Sequence, residues 1–320
     1  MIVRLLCCFL TSLFLVLLLM PHFIDHMKRI GFNQNVSEYS LEEYKNKAKT
    51  PVMGGVLFVT VPTICSLVFF PDIFMDLDTA IVLLVFVGYG LIGFLDDYLI
   101  VVKHNNDGLK PWQKFSLQLL LAILFYLVFR RHAVLDIVIP FTGFSWNLGR
   151  YYVLLILFMF TGSSNAVNLT DGMDGLAAGC TEIALIPFLI FAWLDHRFAL
   201  CGFILALLGA LLGYLRYNIH PAKVFMGDTG SLALGAALAA IAMVLKKELA
   251  LAVIGGVFVI ETLCVIIQIS SVKLTGHRVF PYTPIHYAFV LKGMNEQKVV
   301  RMFWIAGCIF ALLGLFIGLH

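Results

Sequence analysis

Long apolar runs separated by short polar breaks fill the chain, and most last about as long as a helix needs to cross hydrocarbon, ~20 residues. They predict ten membrane spans, near 2–20, 52–71, 79–97, 112–130, 150–167, 174–194, 198–216, 231–245, 249–270 and 300–319. Two long polar stretches remain, 21–51 and 271–299. The segment 132–149 alternates around Gly143 and predicts a small β-hairpin at the surface. No repeat or low-complexity linker interrupts the pattern. The expectation is one all-α polytopic membrane domain over 1–320.

Composition agrees with that class. Of 320 residues, 61% are hydrophobic and 13% charged, and the mean hydropathy of +0.96 exceeds what a water-soluble domain needs. A net charge of +3, with no basic stripe interleaved with aromatics, argues against a nucleic-acid partner. The 7 cysteines lie scattered in apolar runs without C-x-x-C spacing, so they read as small core residues. Met1 to Met20 resembles a signal peptide, but it lacks a small-x-small cleavage site and reads as an uncleaved first span. Of the 22 lysines and arginines, fifteen fall on the side of the loops that follow odd-numbered spans and seven on the other. That asymmetry predicts that both long loops are cytoplasmic and both termini extracytoplasmic.

Four polar islands break the apolar pattern, all on the side predicted to be cytoplasmic: Gly93–Asp97, Asn165–Gly175, Phe225–Ser231 and Pro284–His286. Carboxylates at the ends of membrane helices are costly and read as functional. Asp96 and Asp97 are adjacent and repel, which suits a general base or a shared cation; a helix end dipping into water is the alternative. Asp171 and Asp174, three apart at the predicted start of span 6, would share a helical face. Thr170 or Asp171 could cap that helix, but capping leaves Asn165 and Asn168 unexplained. Gly172 and Gly175 let backbone approach a ligand.

Asp228 lies in Gly-Asp-Thr-Gly-Ser just before span 8, where free helix N–H groups make an anion site. No lysine follows the second glycine, so this is not a Walker A loop. Phe225 beside it packs, or stacks on a flat base. His286, taken alone, reads as a solvated or structural loop residue. His22 and His26 have no third metal ligand. The sequons at Asn35 and Asn168 fall on the cytoplasmic side and should stay unglycosylated. Three acidic islands and a histidine on one face read together as Mg²⁺-assisted phosphoryl chemistry.

At these residues the chain resembles the polyprenyl-phosphate N-acetylhexosamine-1-phosphate transferases, and within them the branch acting on UDP-MurNAc-pentapeptide. The resemblance runs through KAKTPVMGG at 47–55, Asp96-Asp97-Tyr98, NAVNLTDGMDGLA at 165–177, NIHPAKVFMGDTGSLALG at 218–235, and Pro284-Ile285-His286 with Leu291-Lys292-Gly293. It implies ten spans, Mg²⁺, a bacterial cytoplasmic membrane with the active site facing the cytoplasm, and a homodimer. It also implies transfer of phospho-MurNAc-pentapeptide from UDP-MurNAc-pentapeptide to undecaprenyl phosphate, giving lipid I and UMP. That is the first membrane step of peptidoglycan synthesis, on which cell-wall biogenesis, cell shape and division depend. By matched motif, Asp228 would bind Mg²⁺, Asp96 and Asp97 would be the essential acidic pair, and His286 the essential loop histidine. Asn168, Asp171, Gly172, Met173, Asp174 and Phe225 would contact the uridine end, with Lys47 and Asn218 near the phosphates and Gln268 a further substrate contact. The chain departs from the usual pattern at Val52, Ile100, Tyr287 and Ala288.

Two rivals remain. Transfer of GlcNAc-1-phosphate to the same lipid would use the same acids. A secondary transporter would use them as ion sites, but such sites lie near the bilayer midplane, whereas these cluster at one face. A purely structural membrane protein would not keep so many polar groups at helix ends.

Overall fold

The computed structural model describes residues 1–31, 50–103 and 108–320. Its elements are α1 (Ile2–Arg29), α2 (Gly55–Phe69), α3 (Leu77–Lys103), α4 (Pro111–Phe129), β1 (Asp136–Ile139), β2 (Phe144–Asn147), α5 (Tyr152–Thr170), α6 (Leu176–Leu194), α7 (Phe198–Asn218), α8 (Gly227–Val244), α9 (Glu248–Ile254), α10 (Gly256–Thr275), α11 (Ile285–Leu291) and α12 (Glu296–Leu319). Among the described residues, 9 helices are long and apolar enough to cross a membrane. The expected all-α polytopic architecture is present. β1 and β2 pair antiparallel, with Ile137 opposite Trp146, as the hairpin expected near 132–149.

The expected second and ninth spans differ from the structure. α2 has only 15 residues, about 22 Å at 1.5 Å per residue. Its start is fixed by backbone pairing: Phe225 N–H donates to the Pro51 carbonyl (2.8 Å), while Gly54 and Gly55 donate to those of Phe225 and Met226 (2.8 and 3.0 Å). At its far end Pro71 opens a 3₁₀ turn, Pro71–Phe74. The ninth run divides at Gly255-Gly256 into the short α9 and the membrane-length α10.

α1 continues past its expected end at residue 20 to Arg29, through Pro21. Proline has no N–H for the carbonyl four residues back. Here that carbonyl, Leu17, accepts the Tyr217 hydroxyl at 2.9 Å, so the helix carries on without a stranded acceptor. Tyr217→Phe should therefore lower unfolding free energy by about 1 kcal/mol, read as a lower thermal midpoint in detergent.

α8 lies at the centre, with α2, α3, α5, α6 and α9 packed on it, and every residue from Thr229 to Val244 is buried. Small residues permit this: a Cβ at Gly235 would stand 2.2 Å from the Ser163 carbonyl oxygen of α5. The two ends of α8 mark the two ends of the bundle. Asp228 opens it, and just beyond its other end Lys246 pairs with Asp136 of the hairpin (3.1 Å). The hairpin turn in turn meets His320, whose carbonyl accepts the Phe141 N–H at 3.2 Å. Arg4 donates to the Phe69 carbonyl at the end of α2 remote from Gly55. Both termini thus lie at the end of the bundle away from Asp228.

Candidate active site

Helix α3 runs on through Lys103, so Asp96 and Asp97 sit inside it, buried, rather than at a helix end as expected. α3 packs so closely on α8 that a Cβ at Gly93 would lie 2.1 Å from the Asp228 carbonyl oxygen. That approach brings Asp97 beneath the first turn of α8. Its carboxylate accepts the N–H groups of Asp228 (3.0 Å) and Thr229 (2.9 Å) and the Thr229 hydroxyl (2.6 Å). The N–H groups expected to be a free anion site are therefore occupied by Asp97, a cap supplied from another helix. Glycine is required at 227, where φ is +69° and a Cβ would meet Asp97 Oδ2 at 2.4 Å.

Asp228 stands in the first turn of α8 rather than before it. Its Oδ1 accepts the Asn168 amide (2.7 Å), which also donates to Ser231 Oγ (2.9 Å). Its Oδ2 lies 2.5 Å from the Lys114 ammonium, and Asp96 Oδ2 lies 3.7 Å from the same nitrogen. Asp96 Oδ1 accepts the Leu109 N–H at 2.8 Å. Sequence reasoning misses Lys114, because nothing local sets it apart from the other loop-side lysines. Packing of α4 on α3 and α5 brings it in.

The loop between α5 and α6 overturns another expectation. Asp171 and Asp174 do not share a helical face, because Asp171 follows the last residue of α5 and α6 begins only at Leu176. Gly175, at φ +79°, occupies the turn before it. Neither candidate caps α6; Thr170 Oγ1 donates back to the Ala166 carbonyl (2.8 Å), and the N-cap position of α6 is Gly175. Asp174 is buried, accepts the Ala222 N–H (3.0 Å), lies 3.0 Å from His220 Nδ1, and donates its own N–H to Glu296 Oε1 (2.9 Å). Ligand atoms of Asp174, His220 and Glu296 all lie within 4.8 Å of one another, a second acidic grouping with room for a cation. Asn218, also buried, accepts the Gly175 N–H (3.0 Å) and donates to the Val224 carbonyl (2.9 Å), tying this loop to the one before α8. Met173 is buried beside it.

His286 is not a solvated loop residue, since it has 0% exposure. Its Nδ1 lies 3.1 Å from Glu261 Oε1, and Glu261 Oε2 accepts the Ile285 N–H at 2.8 Å. A Cβ at Gly172 would lie 2.4 Å from His286 Nε2, so glycine there gives the ring its place. Tyr287, one of the departures from the family pattern, donates its hydroxyl to the Gly172 carbonyl at 3.0 Å. Burial pushes this phenol above its ordinary pKa, so it remains a donor. Segment 168–174 thus meets all three groups: Asn168 at Asp228, Gly172 at His286, and Asp174 at His220 and Glu296.

The remaining candidates are placed differently. Gln268 accepts the N–H groups of Val279 (3.0 Å) and Phe280 (2.9 Å) and donates to the Phe280 carbonyl (3.0 Å), which folds that loop onto α10. Phe225 is half-buried and pairs its backbone with Pro51 and Gly54. Lys47 lies outside the described residues.

Donor chemistry at the first group suits a hard divalent cation. Carboxylate oxygens of Asp96 and Asp228, from two helices, converge on one positive charge, the Lys114 ammonium, and oxygen ligands are what magnesium takes. Asp97 fits less well, because both its oxygens already serve α8.

A polytopic helical bundle with interlocked carboxylates gathered at one end has the architecture of an integral-membrane group-transfer enzyme. The chain belongs to glycosyl transferase family 4, whose profile matches residues 79–246, the stretch that carries Asp96, Asp97, Asn168 and Asp228. It is 46% identical over 309 residues to the phospho-N-acetylmuramoyl-pentapeptide-transferase of Geobacillus thermodenitrificans, covering 96% of this chain and 95% of that protein. It is 46% identical over 303 residues to the protein of that name from Bacillus subtilis, covering 94% and 93%. With the one from Staphylococcus epidermidis the identity is 46% over 315 residues, covering 97% and 98%.

Proposed function

We propose that this protein transfers phospho-MurNAc-pentapeptide from UDP-MurNAc-pentapeptide to undecaprenyl phosphate, releasing UMP and forming lipid I. The observation that carries the reading is the junction of Asp96, Lys114 and Asp228 at the mouth of α8, in a chain similar over nearly its whole length to relatives bearing that name. The lysine and arginine asymmetry supports a cytoplasmic site in a bacterial cytoplasmic membrane, with both termini outside. A homodimer rests on the resemblance alone.

In this reading Asp96 orients or deprotonates the lipid phosphate, whose oxygen attacks the sugar-linked phosphorus. The bond to the uridylyl oxygen breaks, and UMP leaves with that electron pair. Asp228 would hold Mg²⁺, which when bound would supply charge neutralisation at the pyrophosphate. Lys114, beside both carboxylates, supplies positive charge next to the phosphates, and Asn168 keeps the Asp228 carboxylate in one orientation. Asp97 keeps α8 and Asp228 in register with α3. Asp171, Gly172, Met173, Asp174 and Phe225 grip the uridine end, Asn218 serves the phosphate side, Lys47 is assigned to the phosphates by the resemblance alone, and Gln268 shapes the facing loop. His286 Nε2 serves the pyrophosphate from across Gly172. Positioning and charge stabilisation supply most of the rate.

The test is UMP release by purified protein given both substrates. Turnover should require Mg²⁺ and vanish when UDP-GlcNAc replaces UDP-MurNAc-pentapeptide. Equal turnover with UDP-GlcNAc would move the protein to the GlcNAc-1-phosphate branch.

A further inference from the structure

We infer that Glu261 is a positioning residue for this reaction: its carboxylate holds His286 with Nδ1 turned into the bundle and Nε2 turned toward the nucleotide loop. The inference rests on the transferase reading above. Glu261 belongs to α10 and both side chains have 0% exposure. A carboxylate in a membrane helix is retained only when hydrogen bonds offset its loss of water. Here both oxygens are used on adjacent residues, Oε1 on the His286 ring and Oε2 on the N–H of Ile285, which opens α11. One group therefore fixes the ring and also the backbone from which the ring hangs.

With Nδ1–H committed to the carboxylate, Nε2 is the nitrogen left to exchange protons or hydrogen-bond a substrate oxygen. It is buried and has no hydrogen-bond partner among the described residues, and it faces Gly172 of the segment that also carries Asn168 and Asp174. That places it to serve the pyrophosphate of a nucleoside diphosphate. The same helix anchors the other end of the loop. Gln268 lies seven residues after Glu261, on the same face of α10, and grips the backbone at Val279 and Phe280. α10 thus splints the segment 279–286 at both ends, with the histidine at the end nearer the reaction.

The experiment is steady-state UMP release by the full-length protein, comparing wild type, Glu261→Gln, His286→Ala and the double variant. Gln keeps the shape but presents an amide N–H₂ to one of the two donors. We expect Glu261→Gln to lower kcat about 10²-fold with KM for both substrates little changed. In the His286→Ala background the same change should cost nothing further, because residues that act as a unit are non-additive. A Glu261→Gln effect of the same size with and without His286 would overturn the inference, since Glu261 would then act on the loop alone. Full turnover by Glu261→Gln would overturn it equally. If Glu261→Gln does not fold, Glu261→Asp, which keeps the charge on a shorter stem, goes through the same cycle, and the same two results would overturn the inference. Full turnover by His286→Ala would instead remove the histidine's role in the proposed mechanism, while wild-type UMP release tests the transferase reading itself.

Discussion

Asp228→Ala should reduce UMP release by about 10³-fold or more, the loss expected when a preorganised charge at the reacting phosphate is removed. Among the described residues, Lys114, Asn168 and Asp97 hold this residue. It accepts from Asn168 with one oxygen and from Lys114 with the other, and its backbone N–H is held by Asp97. Truncation leaves Lys114, among the described residues, with the Asp96 carboxylate at 3.7 Å as its remaining ion pair. A cation that had two carboxylates converging on it then has one. Folding should survive, because Asp97 still caps the backbone of α8, and an acid in the first turn contributes only about 0.3–1 kcal/mol. The measurement is initial rate across a Mg²⁺ series, with the thermal midpoint as control. Added Mg²⁺ should not restore the rate. A variant with wild-type turnover and an unchanged Mg²⁺ requirement would remove Asp228 from the cation site.

The fold is largely legible in the sequence because membrane helices announce themselves by length and hydropathy. The hairpin near 132–149 is legible by alternation around Gly143. Element ends are what mislead. Pro21 hides the continuation of α1, since the donor that satisfies the Leu17 carbonyl is Tyr217, 200 residues further along the chain. The turn through Gly172 and Gly175 mimics a helix start because its two acids are spaced three apart, as on a helical face. At the site, residue type alone points to the acids and, with its motif, to His286. It does not point to Lys114 or Glu261, because each lies in an apolar helix with no local pattern and gains its partner only through packing. Nor does it show that the Gly-Asp-Thr-Gly-Ser loop turns its N–H groups to Asp97. Gly55 and Gly230 have a shared structural cause: a Cβ at Gly55 would lie 2.3 Å from the Gly230 nitrogen, so the α2 and α8 starts touch backbone to backbone.

Asp96→Asn and Asp97→Asn should fail in opposite ways, although the two residues are neighbours in one helix. Asp97 receives three hydrogen bonds from the first turn of α8, two from backbone N–H groups and one from the Thr229 hydroxyl. An amide there keeps one acceptor oxygen and points N–H₂ at a donor in a buried setting. The loss is that of buried hydrogen bonds to a charged group, about 3 kcal/mol, and α8 shifts at the turn that carries Asp228. Asp97→Asn should therefore lower the thermal midpoint, with lost turnover as a consequence of a displaced site. Among the described residues, Asp96 accepts one backbone N–H, that of Leu109, and an amide oxygen accepts that bond as well. Its second oxygen faces the Lys114 charge, where the proposed mechanism has the lipid phosphate oriented or relieved of its proton. Asp96→Asn should melt within about 1 kcal/mol of wild type yet lose about 10³-fold in kcat, the scale of a positioned general base. Parallel thermal melts and UMP-release rates on the two variants decide the matter. A stable, inactive Asp97→Asn beside an unstable Asp96→Asn would reverse the roles of the pair.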